Sequence, residues 1–102
     1  MTKSVYVNLP PTVHRDLLVN NSKCSMTKMN VEKNTKSSTH SHPHFQIVYL
    51  LEGSCDFLLN GEVIPMVPGQ AVYVESNALH GFCENTENLT FVEFFVPGRE
   101  DF

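Results

Sequence analysis

Several things are scarce in this 102-residue chain, and each scarcity narrows what it can be. It contains no apolar run of about 18 residues, so no segment is expected to cross a bilayer as a helix. Basic residues are few, seven against eleven acidic ones for a net charge of −4, and they form no cluster. Nucleic acid binding needs such a cluster to neutralise phosphates, so no nucleic acid partner is expected. Cysteine occurs three times, at Cys24, Cys55 and Cys83. An odd, scattered set predicts reduced thiols in a cytoplasmic protein, not a disulfide framework. The amino-terminal stretch MTKSVYVNLPPTVHRDLL lacks the apolar core of a signal peptide. No segment carries a helical period with caps, and there are no repeats or heptads.

What is present suits one globular domain: 41% of residues are hydrophobic and 18% charged. A chain this short buries only about 60–70% of its unfolded surface, so a homodimer is expected to complete the burial.

Short strand signals fill the chain. "SCDFLL" alternates in polarity, "NG" at Asn60–Gly61 supplies the two positive-φ positions of a tight hairpin turn, and "EVIPMV" returns. Pro65 has no N–H for a ladder, which places the returning strand at a sheet edge or a bulge. "FQIVYLLEG", "AVYV" and "LTFVEFFV" read as further strands, with "HRDLLV" and "CSMTKMNV" as weaker ones, and "EKNTKSST" (residues 32–39) as a polar loop. Many short strands punctuated by Gly, Pro and Asn predict an all-β sandwich or barrel. Tyr49 and Tyr73 read as core or interface residues, and nothing nearby recruits His14 to a site.

The chemistry is concentrated in "HSHPHFQ", residues 40–46. Alternate side chains of an extended segment share a face. His40, His42, His44 and Gln46 therefore point one way, provided that Pro43 does not break the alternation. Imidazole is the commonest transition-metal ligand. Histidines on a solvated strand end that hold nothing are the competing reading, and it weakens as the histidines accumulate. A further histidine, His80, lies in "NALHGF".

On the last strand, alternation places Leu89, Phe91, Glu93 and Phe95 on one face. If that face is inward, Glu93 loses solvation, its pKa rises, and it can exchange protons near neutral pH. If it is outward, Phe91 and Phe95 belong to a dimer contact and Glu93 is a rim charge. Arg99 can meet a carboxylate bidentately, or form an ion pair with Glu100, Asp101 or a partner chain.

These spacings resemble the two cupin motifs. The first runs His40, His42, Gln46, Gly53; the second runs Gly61, Pro68–Gly69, His80, Asn85. The resemblance implies a small single-domain cupin β-barrel of the double-stranded β-helix or jelly-roll type over residues 1–102. Within it, residues 1–35 form N-terminal strands and a loop, 36–96 the barrel with both motifs, and 97–102 a C-terminal tail. It also implies one divalent metal ion (zinc, nickel, manganese or iron) on His40, His42, Gln46 and His80, with His44 in reserve should the pattern slip by one step. Gln46 stands where many cupins have glutamate, and Asn34 where the first motif often begins with glycine. An uncharged donor set leaves a dication its full charge. The ion is then a stronger Lewis acid with a preference for anions, bound less tightly. The absence of a two-histidine, one-carboxylate triad lowers the case for oxygen chemistry without removing it.

The ending "EFFVPGREDF", together with "HSHPH" and the glutamine that follows, is similar to the small cupins of pectin degradation, which linearise 4,5-unsaturated monouronates from pectin and alginate breakdown. That resemblance covers about residues 40–102. It implies Glu93 as the proton-transferring acid, where the family has aspartate, Phe95 as a wall of the pocket, and Arg99 as the partner of the uronate carboxylate. The partner implied is a small acidic sugar or another small anion. Two other readings stand beside it. The barrel also resembles the sugar-sensing domain of AraC-type regulators, here without a helix-turn-helix segment. It is also compatible with a different metal-dependent cupin enzyme, an isomerase or a dioxygenase.

Overall fold

The computed structural model describes residues 9–102, in which eight strands follow one another: β1 (Val13–Asn20), β2 (Ser25–Val31), β3 (Phe45–Glu52), β4 (Cys55–Leu59), β5 (Glu62–Met66), β6 (Ala71–Val74), β7 (His80–Phe82) and β8 (Leu89–Val96). The expected N-terminal region 1–35 is thus seen from residue 9; its first eight residues, with part of the stretch read for a signal peptide, lie outside the described residues. No helix among the described residues is long and apolar enough to cross a membrane.

Five strands form one antiparallel sheet in the order β1-β2-β8-β3-β6, and three form a second in the order β5-β4-β7. Crossovers between the sheets give a jelly-roll arrangement. The expected barrel is not closed by continuous strand pairing: a single isolated bridge, His40 to His80, is the further pairing among the described residues. One of the open edges is β5, in which Pro65 has no proton to donate. The β4–β5 hairpin turns at Asn60 and Gly61, whose φ angles of 49° and 83° are the positive values that Asn-Gly tolerates best. The three-residue strand β7 carries too little pattern to be anticipated from sequence.

The register sets a gradient on the inner face of the larger sheet. Met29, Phe91 and Leu50 lie side by side on β2, β8 and β3; the next inward rows are Thr27, Glu93, Val48 and then Ser25, Phe95, Gln46. The apolar end packs against Phe57 and Met66 of the smaller sheet to make the core. The polar end, with Ser25, Thr27 and Gln46 all fully buried, faces the histidines. The outer face keeps Phe94, Ile47 and Tyr73 partly exposed, aligned across β8, β3 and β6 in that order. Tyr49 and Tyr73, 40% and 55% exposed, belong to that outer face and not to the core.

Candidate metal centre

Two pieces of chain deliver the histidines, the segment just before β3 and the start of β7. His80 starts β7; His42 follows the loop 32–39; His40 is held against His80 by two backbone hydrogen bonds of 2.9 and 3.0 Å. Two features make that pairing possible. Gly81 has no side chain, and a Cβ there would collide with the Ser38 carbonyl oxygen. Asn85 is buried and ties down the approach to His40: its Oδ1 accepts the Thr35 N–H at 3.1 Å, and its Nδ2 donates to the Glu32 and Glu87 carbonyls at 3.0 and 2.7 Å.

The ligand atoms of His40, His42 and His80 lie within 4.8 Å of one another. Gln46, fully buried on β3, completes the group: its Oε1 stands 2.8 Å from Nε2 of His42 and 2.9 Å from Nε2 of His80. His44 does not join them. Pro43 and His44 form a bend before β3, so the alternation expected from the sequence is broken there, and His44 turns to a pocket beside Pro97, Gly98 and Arg99.

The protonation of this group follows from its hydrogen bonds. Nδ1 of His42 donates to the His44 carbonyl at 2.9 Å, and Nδ1 of His80 donates to the Ala78 carbonyl at 2.8 Å. Carbonyls only accept, so the protons sit on Nδ1 and each Nε2 presents a lone pair inward. Burial lowers the pKa of His42 and of His80, with the charge of Arg99 adding to it for both. His40 is held down to about 4, first by desolvation of its ring and then by the nearby charges of His80 and His42. Two lone pairs and an amide oxygen thus face each other at under 3 Å with no proton between them, a repulsive arrangement unless a cation lies among them. The donor set fits a divalent transition metal ion, for which neutral imidazole and amide oxygen are suitable ligands.

Glu93 sits directly behind this group. Its Oε2 accepts the Gln46 Nε2–H at 3.1 Å and its Oε1 accepts the Thr27 hydroxyl at 3.3 Å. Burial pushes its carboxyl above the usual range, and the Arg15 charge and these two hydrogen bonds oppose the rise. The face carrying Glu93 is therefore the inward one. Phe95, almost fully buried, stands edge-on to His42 with ring centroids 5.7 Å apart.

Arg99 is 3% exposed. Its Nε and Nη2 donate to the two Asp101 carboxylate oxygens at 2.8 and 2.6 Å, and its guanidinium stacks on Phe95 and Phe102 at 4.8 and 4.7 Å. In the structure Arg99 forms the ion pair with Asp101, its guanidinium buried and the carboxylate half-buried. Burial of Asp101 works against its ionisation, yet the Arg99 hydrogen bond and charge hold its carboxyl below the usual range.

A cavity of about 400 Å³ opens beside the histidines. His40, His80, Glu93, Phe95 and Arg15 line its polar end, and the rest is mainly apolar. Arg15 was not singled out from the sequence; the signal available was its position two residues from Val13 on β1, in phase with the inward face, but the strand pattern there is weak.

A jelly roll that gathers three imidazoles and one amide oxygen beside a cavity is the arrangement of a cupin with a candidate metal site. The chain belongs to the cupin family: the family model described as a cupin domain matches residues 27–96. It is similar to the pectin degradation protein KdgF of Dickeya dadantii, at 30% identity over 78 residues that cover 76% of this chain and 71% of that protein. Among solved structures it shares its fold with KdgF from Halomonas sp., with a TM-score of 0.84 at 22% identity over 92% of this chain and 86% of the other. It also shares it with an RmlC-like cupin from Shewanella frigidimarina, with a TM-score of 0.83 at 24% identity over 92% and 84% of the two chains.

Proposed function

We propose that this protein is a metal-dependent enzyme that opens and ketonises small 4,5-unsaturated uronic acids. The observation that carries the reading is the hydrogen bond from Gln46 to Glu93, which joins the candidate metal donor set to a half-buried carboxyl on the cavity wall. The similarity to a pectin degradation protein supports the substrate class.

His40, His42, His80 and Gln46 would hold one divalent ion of zinc, nickel, manganese or iron. Such an ion supplies Lewis acidity towards a substrate oxygen, undiminished by any ligand charge. The protein's own groups do the rest. Gln46, pinned by Glu93, keeps its oxygen turned to the imidazoles. Glu93, its pKa raised by burial, moves a proton between itself and the ring carbon or ring oxygen as the cyclic hemiacetal opens and the enol relaxes to the ketone. Phe95 closes the site beside His42 and excludes water.

The test is to incubate protein loaded with each metal in turn with 4,5-unsaturated galacturonate and follow the absorbance of its conjugated double bond. Loss of absorbance well above the buffer rate supports the reading; no acceleration with any of the four metals removes it.

A further inference from the structure

An acidic guest in a largely apolar cavity needs a cation beside its carboxylate, because an unpaired charge is costly to desolvate. Arg99 is the arginine that the tail motif offers, yet its Nε and Nη2 are engaged by Asp101 and it is not among the residues that line this cavity. Among the described residues that line the cavity, the guanidinium is that of Arg15. Alternation on β1 turns Arg15 inward with Val13 while His14 and Asp16 face out, and the register sets it beside Met29 on β2. Its guanidinium stacks on Phe102 at 4.6 Å. It shares the lining of the cavity with Glu93 and His40. Lys36, the other cation on the lining, belongs to the exposed loop at the mouth.

We propose that Arg15 receives the carboxylate of the acidic ligand, and that Arg99 is a positioning residue that holds Phe95 and Phe102 through its pair with Asp101. The assignment deepens the proposed function and rests on it for the ligand class. Phe102 then serves both arginines, one fixing the tail and the other facing the guest. A planar fork suits this task better than an ammonium, since a carboxylate can be met by two parallel N–H groups.

The experiment is calorimetric titration of zinc-loaded protein with galacturonate and with the neutral sugar galactose, for wild type, Arg15→Gln, Arg15→Lys, Lys36→Gln and Asp101→Asn. Circular dichroism confirms that each variant is folded. Charge-assisted hydrogen bonds of this kind predict that Arg15→Gln weakens galacturonate binding about 10- to 100-fold, leaves galactose unchanged, and is partly rescued in Arg15→Lys. Lys36→Gln is expected to change galacturonate binding less than about threefold.

Equal losses in Arg15→Gln and Lys36→Gln would reduce the effect to a general field and overturn the assignment. So would an unaffected Arg15→Gln, or tighter galacturonate binding when Asp101→Asn frees Arg99. A wild-type protein that binds galacturonate no better than galactose overturns it too. Loss of carboxylate preference in Arg15→Gln without turnover of unsaturated galacturonate by wild type would uphold Arg15 and sink the uronate reaction, so the two readings fail separately.

Discussion

Gln46 donates an amide N–H to the carboxylate of Glu93 at 3.1 Å, and in doing so commits its oxygen to the imidazole side. On the proposed function, one neutral side chain thereby links ion affinity to proton transfer, and the consequences can be measured from either end.

Replacing Gln46 with Glu adds a negative charge beside Glu93 and among the metal donors. Metal retention should rise by about tenfold or more in competition with a chelator, because a charged ligand has been added. Glu93 should keep its proton to higher pH, since two neighbouring carboxylates resist double ionisation. The carboxylate limb of the pH–rate profile is expected to move upward, and turnover at neutral pH to fall.

Glu93→Gln should lower turnover by about 10²–10⁴, the usual worth of a general acid or base. Galacturonate affinity, read by calorimetry, should change less than about threefold. Wild-type turnover that survives this substitution would remove Glu93 from the chemistry. Absence of turnover in wild type with intact sugar binding would favour a sensor resembling the AraC-type domain.

Stripping the proposed metal should destabilise the fold, because its candidate ligands come together only where β7, β3 and the segment around His42 meet. At a free ion concentration about 100 times the dissociation constant, linkage predicts about 2.7 kcal/mol. For a domain of this size that is a drop in Tm of roughly 10–20 °C on adding chelator. His42→Ala and His80→Ala should abolish the metal-dependent part of the Tm.

The metal-free protein should lose stability as the medium is acidified. In the folded chain His40 takes up a proton only at about 4, against 6.5 for an unperturbed imidazole, and His42 and His80 are shifted in the same direction. Between those values the unfolded chain binds more protons, so their contribution, present above pH 6.5, drains away as the pH falls towards 4. Glu93 has the opposite sign: its raised pKa gives a contribution present below 4.5 and lost as pH rises through the folded value. Thermal melts with chelator from pH 8 to pH 4 should show Tm falling below about pH 7. A His40→Gln variant should show a shallower fall.

Gly81→Ala should cost about 2 kcal/mol or more and weaken metal binding together, because the new methyl would collide with the Ser38 carbonyl and part the His40–His80 bridge. His14→Ala is the contrast. Its pair with Glu32 is exposed on both sides, so denaturant titration should move by less than about 0.5 kcal/mol.

Much of this architecture was legible before any coordinates. The Asn60–Gly61 turn, the edge position of Pro65 and the inward phase of β8 are local properties, dictated by φ preference, a missing N–H and two-residue alternation. Glu93 was legible as a carboxyl in an apolar register, although alternation alone left its direction open until β8 was seen paired between β2 and β3. The departures occur where local rules meet distant chain. Extended geometry put His44 in line with its neighbours, and the bend at Pro43 and His44 took it out. Arg15 was overlooked because its strand is weakly patterned and its partners on the cavity wall lie some 80 residues away in sequence.

By itself, then, the sequence determined the strands, the turns and which residue types could serve as ligands, because backbone preference and side-chain chemistry are written residue by residue. Only the tertiary structure decided which imidazoles meet, which way the Gln46 amide faces, and which arginine borders the cavity. Those outcomes depend on the register of β2, β8 and β3 and on the close approach of Ser38 to Gly81, contacts between segments that are far apart along the chain.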